Sequence, residues 1–168
     1  PSFLLKDSVM TPIHVGRTNA KLRMGEADKN YQWLVNNMIG DDTGENISDK
    51  NDYYNEMTAV YWAWKNYEKL GNPDYIGLMH YRRHFIFDEN ITDVINIKNV
   101  DERSYYSFLK YDENKMPDFV KGYDFITHIG NVPNVYQHYI RNQRKEDLDR
   151  AIDIVLNKYP EYKDYMDG

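Results

Sequence analysis

The sequence predicts an α/β fold, in which helices pack on a mostly parallel sheet. Two short segments, residues 74–79 and 123–127, are mostly apolar, as strands buried on both faces are. The first of them follows a long helical pattern over residues 53–70, after a tight turn. A helix, a short turn and a buried strand in succession form the repeating unit of α/β proteins.

The first forty residues carry weaker signals. Residues 11–16 indicate a short extended piece, and a polar stretch follows it. A helix is predicted from about residue 27 to residue 38, because apolar side chains recur there at helical spacing. These side chains are Tyr31, Leu34, Val35 and Met38.

The strongest helical pattern covers residues 53–70. Asn51 or Asp52 is placed to cap its start, and Gly71 with Pro73 ends it. Its apolar stripe is wide enough to face a core. The stripe comprises Tyr54, Met57, Tyr61 and Trp64, with Val60 and Tyr67 at its margins.

The remainder of the chain alternates polar connections with further elements. Residues 85–122 predict loops and short elements, and the candidate strand 123–127 follows them. Helices are predicted over residues 135–142 and 146–158, with a final turn after Pro160. No internal repeat or Gly/Ser-rich linker divides the chain, so the sequence predicts a single domain over residues 1–168.

The composition excludes several classes of protein. A net charge of −6 argues against a nucleic-acid binder, which carries a basic surface. Without Cys there is no disulfide framework and no thiolate metal site. No apolar run approaches the roughly 20 residues of a membrane span, and no signal sequence is recognised. We therefore expect a cytoplasmic protein without a membrane segment, which reaches the inner face of the membrane only through partners.

A cationic cluster follows the first candidate strand. His80, Arg82 and Arg83 lie where residues 74–79 end, and ligands of open α/β sheets bind beyond the carboxyl ends of strands. The guanidinium group of Arg suits phosphate oxygens, and His exchanges a proton near neutral pH. The cluster therefore indicates an anionic ligand such as a diphosphate. The alternative is that the Arg side chains pair with the plentiful Asp and Glu.

A second candidate site is the polar loop over residues 40–51, which leads into the long helical pattern. Helix starts favour phosphate, and polar side chains of the loop suit ribose or sugar hydroxyls. The candidate side chains are Asp41, Asp42, Thr43, Asn46, Ser48 and Lys50. The alternative is an ordinary capped helix behind a solvated loop; the spacing does not match a calcium loop. Glu56, one turn further on, is either a buried carboxylate facing the site or a favourable charge near the helix start.

Several common catalytic motifs are absent from the sequence. It contains neither type of Gly-rich phosphate loop and no Gly-x-Ser-x-Gly elbow. Apart from His80 and His84, the His residues show no compact metal-ligand spacing, and we interpret His128 and His138 as structural. No protein metal site is therefore predicted.

Three long motifs together resemble one known family. They are residues 41–51 (DDTGENISDKN), the stretch 54–66 with its EMTA and YWAWKN runs, and residues 74–83 (DYIGLMHYRR). In this order and spacing they are similar to capsular and exopolysaccharide biosynthesis proteins, a family long catalogued as a domain of unknown function and regarded as glycosyltransferases. Weaker similarity covers residues 12–16, the 123–127 segment and the end of the 146–158 helix.

The resemblance implies a GT-A-like nucleotide-diphospho-sugar transferase fold. It implies transfer of a sugar from an activated donor, a UDP-sugar first of all, to a glycan or lipid-linked acceptor. Relatives begin with an additional strand and continue past the last helix, so we expect a fold that is incomplete at both ends.

The resemblance also implies roles for the candidate residues. GT-A enzymes typically hold Mn²⁺ or Mg²⁺ on the donor diphosphate with an Asp-x-Asp pair at a strand end, where this chain has His80, Arg82 and Arg83. Our hypothesis is that these three neutralise the diphosphate directly and that Glu56 acts as a base or orients one, with a divalent metal as the alternative. The residues expected to line the donor are Asp41, Asp42, Asn46, Ser48 and Lys50. Two other functions stay open: a degenerate module that binds nucleotide sugar or glycan without turnover, and a protein-interaction domain.

Overall fold

The computed structural model describes residues 4–81, 83–88, 90–91, 93–98, 101–127 and 134–166. The chain divides into two compact units, Pro1–Thr127 and His128–Gly168. The single-domain organisation expected from the sequence stays a prediction.

The first unit begins with a parallel pair of short strands joined by two helices. Strand β1 (Ile13–His14) pairs with β2 (Ile39–Gly40), so that Ile13 lies opposite Ile39. Between them run α1 (Arg17–Met24) and α2 (Lys29–Asn37). The predicted extended piece and the predicted helix over 27–38 are thereby confirmed, whereas the polar stretch of α1 gave no helical signal.

The segment predicted as one helix over residues 53–70 is helical but interrupted. It consists of α3 (Asn51–Tyr54), α4 (Met57–Lys65) and a 3₁₀ turn (Tyr67–Leu70). The first break is at Asn55, whose φ of 47° lies in the left-handed region. The helix ends at Gly71, as predicted. The predicted cap is wrong, because Asn51 lies within the first turn and its side chain donates to the carbonyl of Asn55 instead.

Helix α4 buries a different face from the predicted one. Tyr54, Met57 and Trp64 are exposed, so the predicted apolar stripe does not face the core. The buried positions are Thr58, Ala59, Trp62 and Asn66. Polar partners account for the difference, because three of these four residues hydrogen-bond to the loop that follows β2.

Neither apolar segment predicted as a central strand is a strand in the structure. Residues 74–79 and 123–127 have no strand assignment, and Ile76 and Leu78 are exposed. Among the described residues, β1 and β2 are the strands of the only sheet. The helices and the short parallel pair still fit the predicted α/β class, with far less strand than expected.

The rest of the first unit packs around aromatic side chains. Helices α5 (Glu102–Leu109) and α6 (Met116–Lys121) occupy the region predicted to hold short elements. A core of Tyr105, Leu109, Tyr111 and Met116 is packed against partly buried apolar residues that include Phe87 and Phe119. The Tyr111 hydroxyl donates to the Asp7 carboxylate at 2.9 Å. This bond ties the start of the described chain to the core.

The second unit is helical in its described part. It contains α7 (Val135–Asn142), α8 (Lys145–Lys158), a 3₁₀ turn (Pro160–Tyr162) and α9 (Lys163–Met166). These elements confirm the two predicted helices and the final turn. Across the described parts of both units, no helix has the length and apolar character needed to cross a membrane.

Candidate functional site

A buried carboxylate organises the region where the two parallel strands end. Asp41 directly follows β2 and has no exposed surface. Its Oδ2 accepts from the Gly16 N–H and the Thr58 hydroxyl, both at 2.7 Å. Its Oδ1 accepts from the Ser48 hydroxyl at 2.6 Å and the Arg17 N–H at 3.1 Å. Four donors saturate the carboxylate, so this geometry favours a positioning role for Asp41 over direct contact with a ligand.

The same bonds occupy the start of α1. Its first N–H groups would otherwise form an anion-binding site, as they do after the first strand of many α/β folds. Here the N–H groups of Gly16 and Arg17 donate to Asp41, and that of Thr18 donates to the Ser48 hydroxyl at 3.1 Å. A phosphate group therefore finds these three main-chain donors already engaged.

Arg17 carries a buried positive charge beside the strand ends. Its Nη2 donates to the carbonyls of Met38 at 2.8 Å and Ile39 at 2.9 Å, and Nε faces Nδ1 of His14 at 3.4 Å. None of the hydrogen-bond partners of the Arg17 side chain among the described residues is a carboxylate. Nη1 lies against Gly40, where a Cβ atom would approach it to 2.6 Å.

Asp42 supplies the second carboxylate of the strand end. Its Oδ1 is buried and has no hydrogen-bond partner within the described part of the chain. This oxygen also lies against Gly40, since a Cβ there would meet it at 2.3 Å. Gly40 therefore leaves the space into which both Arg17 and Asp42 fit.

His14, the last residue of β1, is held neutral by its surroundings. Burial lowers its pKa below the ordinary value, and the Arg17 guanidinium lowers it further, while the two nearby carboxylates act in the opposite direction. Nδ1 faces the Nε–H of Arg17, which leaves the proton of the neutral ring on Nε2.

An open cavity of about 460 Å³ lies beside this cluster. Its lining includes Thr11, Arg17, Gly40, Thr43, Trp62 and Lys69. The Trp62 Nε1–H donates to the Thr43 carbonyl at 2.8 Å, which fixes one wall. The Lys69 ammonium group lies over Gly44, where a Cβ would approach it to 2.5 Å. Arg17 and Lys69 thus give the cavity two cationic lining residues.

The other residues predicted to line a donor occupy different positions. Ser48 is fully buried between Asp41 and α1. Asn46 accepts from the Ser48 N–H at 3.1 Å and thereby shapes the loop. Lys50 is exposed. Of the five predicted donor-lining residues, Asp41, Asn46 and Ser48 hold the loop in place, and their contact with a ligand stays a prediction.

The structure brings together two of the four predicted catalytic residues. The His80 Nε2 and Glu56 Oε1 atoms lie 3.0 Å apart. Glu56 is exposed, at the start of α4, so it is the partner of His80 and not a buried carboxylate. The Arg83 N–H donates to the His80 carbonyl at 3.1 Å, which closes a tight turn and leaves the Arg83 side chain exposed. Arg82 and His128 lie outside the described residues.

The described side chains do not form a metal site by themselves. In the described ranges, no three His, Asp or Glu side chains converge as metal ligands. Asp41 is already saturated by donors, and Asp42 alone offers too few oxygens for Mg²⁺. We therefore derive no step through a metal held by these residues.

Sequence reasoning missed the two cations that border the cavity. A signal for Arg17 was available, because it follows an extended segment and a Gly, as residues at a strand exit do. Lys69 gave no such signal, since it approaches the cavity only through the 3₁₀ turn that ends the helical segment.

Comparison with known families defines the class to which this arrangement belongs. The model of the family described as "Domain of unknown function (DUF4422)" matches residues 1–168. The chain therefore belongs to this family, which agrees with the resemblance found in the three long motifs.

A solved structure gives a more particular comparison. The chain is 36% identical to a structure titled "WbbM bifunctional glycosytransferase apo structure", with a TM-score of 0.72 over 97% of this chain. It corresponds to 28% of that chain's length, so the similarity concerns one region of a larger protein. A search of curated proteins found no match.

Proposed function

We propose that this chain forms the donor-binding part of a glycosyltransferase that transfers a sugar from a nucleotide-diphospho-sugar. The observation that carries the proposal is the similarity over 97% of the chain, at 36% identity, to a structure described as a glycosyltransferase. We further propose a GT-A-like fold and a UDP-sugar donor. The acceptor is a glycan or lipid-linked glycan of capsular or exopolysaccharide synthesis.

The site geometry supports a donor at the strand ends. Both parallel strands lead into the Asp41 cluster, and in α/β folds ligands bind beyond the carboxyl ends of such strands. The 460 Å³ cavity lies within the range of about 300–1,000 Å³ typical of small-molecule sites.

The reaction needs a base and a positive charge at the leaving group. The acceptor hydroxyl oxygen bonds to the anomeric carbon, the bond from that carbon to the diphosphate breaks, and the hydroxyl proton passes to a base. The pair formed by His80 and Glu56 supplies the base, with one residue orienting the other. Arg82 and Arg83 neutralise the departing diphosphate through charge-assisted hydrogen bonds.

A non-catalytic binding module is the second candidate. It is favoured by one observation, namely that the described residues bring together only His80 and Glu56 of the four predicted catalytic residues. On this proposal the chain binds a nucleotide sugar or a glycan without turnover.

A thermal-shift screen followed by a turnover assay tests the proposal. UDP, GDP and CMP and their common sugars are added with and without Mn²⁺, and a ligand that binds the native state raises the melting temperature. We expect a shift with UDP and a UDP-sugar, and release of UDP in the presence of acceptor glycan. Shifts without turnover favour the binding module. No shift with any nucleotide contradicts both candidates.

Arg83→Ala tests the role of the cationic turn. Removing one group that stabilises the leaving diphosphate is expected to lower kcat about 100- to 1,000-fold, by comparison with the loss of one oxyanion donor. Arg103→Ala, an exposed Arg on α5, is the matched control. If a chelator abolishes turnover while Arg83→Ala leaves it unchanged, a metal and not the turn neutralises the diphosphate.

A further inference from the structure

The first N–H groups at the start of α1 are not open to the phosphates of a bound nucleotide. Asp41 and Ser48 already accept from the N–H groups of Gly16, which precedes α1, and of Arg17 and Thr18, its first two residues. The Asp41 carboxylate would also repel a phosphate at that point. Any anion that binds near the strand ends must therefore be held by side chains.

Arg17 places a buried positive charge on the cavity lining, and its guanidinium forms no ion pair with a described carboxylate. Arg17 is 8% exposed, and the partners of its side chain within the described residues are carbonyl oxygens and the His14 ring, while its N–H donates to Asp41. Burying a charge is costly unless an opposite charge or strong hydrogen bonds compensate it. Its Nη2 holds the end of β2 in place, while Nη1 makes no hydrogen bond to a described residue. Arg17 lines the cavity, so an anion there would complete its set of partners.

Lys69 provides a second positive charge on the cavity lining. Its ammonium group lies over Gly44, whose φ of 63° and lack of a side chain allow this approach. No ion pair joins Lys69 to a described carboxylate, in contrast to Lys65 one turn earlier, which pairs with Glu45 at 3.1 Å. The Lys69 charge is thus left for a ligand.

Neutral groups of the cavity suit the remaining parts of a nucleotide. The hydroxyl groups of Thr11 and Thr43 can hydrogen-bond ribose or phosphate oxygens, and Trp62 offers an apolar wall whose position is fixed by its bond to Thr43.

We infer that this cavity is the phosphate subsite of the nucleotide, with Arg17 and Lys69 as its two cations. The inference rests on the proposed function and deepens it: Arg17 and Lys69 bind the phosphates of the intact nucleotide, while the proposed role of Arg82 and Arg83 concerns the charge that develops on the leaving diphosphate. The ligand class is a nucleoside diphosphate bound through its phosphate groups.

Titration calorimetry of the full chain with UDP, UMP, uridine and inorganic pyrophosphate tests the inference. Lys69→Met is compared with Lys29→Met, which removes the same charge from an exposed position at the start of α2. Lys69 is chosen over Arg17 because Arg17 also supports the end of β2. We expect Lys69→Met to weaken UDP binding about tenfold or more, because a charge-assisted hydrogen bond is lost. Lys29→Met and Lys69→Arg should bind UDP as the unchanged chain does, within about threefold.

The results separate this inference from the proposed function. Equal UDP affinity in Lys69→Met and Lys29→Met overturns the inference. It is also overturned if the unchanged chain binds neither UDP nor pyrophosphate. A larger loss in Arg83→Met than in Lys69→Met also overturns it and assigns the phosphates to the turn. UDP binding that depends on Lys69 without sugar transfer supports the subsite and contradicts catalysis. Transfer with UDP binding independent of Lys69 supports catalysis and contradicts the subsite.

Discussion

The first unit has two interiors that are built in different ways. Around the strand ends, the residues without exposed surface are polar: Asp41, Ser48 and Thr58. Around α5 and α6, the buried residues are aromatic or aliphatic: Tyr105, Leu109, Tyr111 and Met116. Hydrogen bonds have preferred lengths and directions, whereas apolar contacts tolerate small shifts. The polar interior therefore fixes the geometry of the cavity, and the apolar interior mainly contributes stability.

The largest effect is expected where the polar interior depends on a single carboxylate. Asp41→Asn keeps the size of the side chain but replaces one carboxylate oxygen with an NH₂ group. That group would face two of the four donors that bond to Asp41 in the native chain. We expect a loss of at least about 3 kcal/mol of unfolding free energy, because buried donors lose a charged acceptor. Urea denaturation measures it, with Asp49→Asn in the same loop as the exposed control. Equal stability of the two variants would show that the polar interior does not depend on the hydrogen bonds of Asp41.

A smaller effect is expected from filling the space beside Arg17 and Asp42. In Gly40→Ala the new Cβ would lie 2.3 Å from Asp42 Oδ1 and 2.6 Å from Arg17 Nη1, so both must shift. Overpacking of this kind costs about 1–3 kcal/mol. Gly77→Ala, where nothing lies within 4 Å, should stay within about 0.5 kcal/mol of the unchanged chain. If thermal denaturation finds both variants alike, the close packing at Gly40 is not required.

In the apolar interior, the hydrogen bond from Tyr111 to the Asp7 carboxylate allows the same kind of test, with a smaller expected loss of stability. Tyr111→Phe removes the hydroxyl that donates to Asp7, with an expected cost of about 1.5 kcal/mol. Burial and this bond raise the pKa of Tyr111 above its ordinary value, which agrees with a protonated donor. Tyr106→Phe, whose ring stacks on Tyr111 and is partly exposed, is the control. A loss above about 3 kcal/mol would mean that the second interior also depends on directional bonds.

The smallest effect is a dependence of stability on pH at the edge of the polar interior. Because the folded-state pKa of His14 is lowered, the unfolded chain binds the proton more readily than the folded chain. The contribution of neutral His14 to the free energy of unfolding is fully present above pH 6.5, the ordinary pKa of His. It is lost as the pH falls from there through the lower pKa of the folded chain. We expect His14→Gln to lose less stability than the unchanged chain between pH 7.5 and pH 5, as measured by urea denaturation. Parallel curves for the two proteins would contradict this.

The sequence predicted helices well where local signals determine them. Helix α2 begins after Asp28, whose side chain accepts from the N–H groups of Asn30 and Tyr31, and the helical segment before Gly71 ends at that residue. Each of these features depends on a few neighbouring residues. For that reason the boundaries of α2, α7 and α8 could be predicted to within about two residues.

Features that depend on distant partners could not be predicted in this way. Residues 74–79 have the composition of a buried strand, but a strand also requires a pairing partner that its own sequence does not specify. The buried face of α4 likewise includes Thr58, whose hydroxyl donates to Asp41, a residue 17 positions away in the sequence. In the candidate site, the types of residue were apparent from the sequence. Their division into ligand-facing and internally bonded groups was not, as the four bonds of Asp41 show.

The occupied start of α1 also affects how binding specificity can change. Where main-chain N–H groups bind a phosphate, the contact does not depend on the side chains of the loop. Point mutations in such a loop therefore change phosphate binding little. On the inference that the cavity holds phosphate, recognition of the anion falls to side chains such as Lys69, which is exposed and makes no hydrogen bond to the strand pair. A single substitution at that position can therefore alter ligand preference without cost to the fold. Position 69 is therefore a suitable starting point for directed evolution toward differently charged ligands.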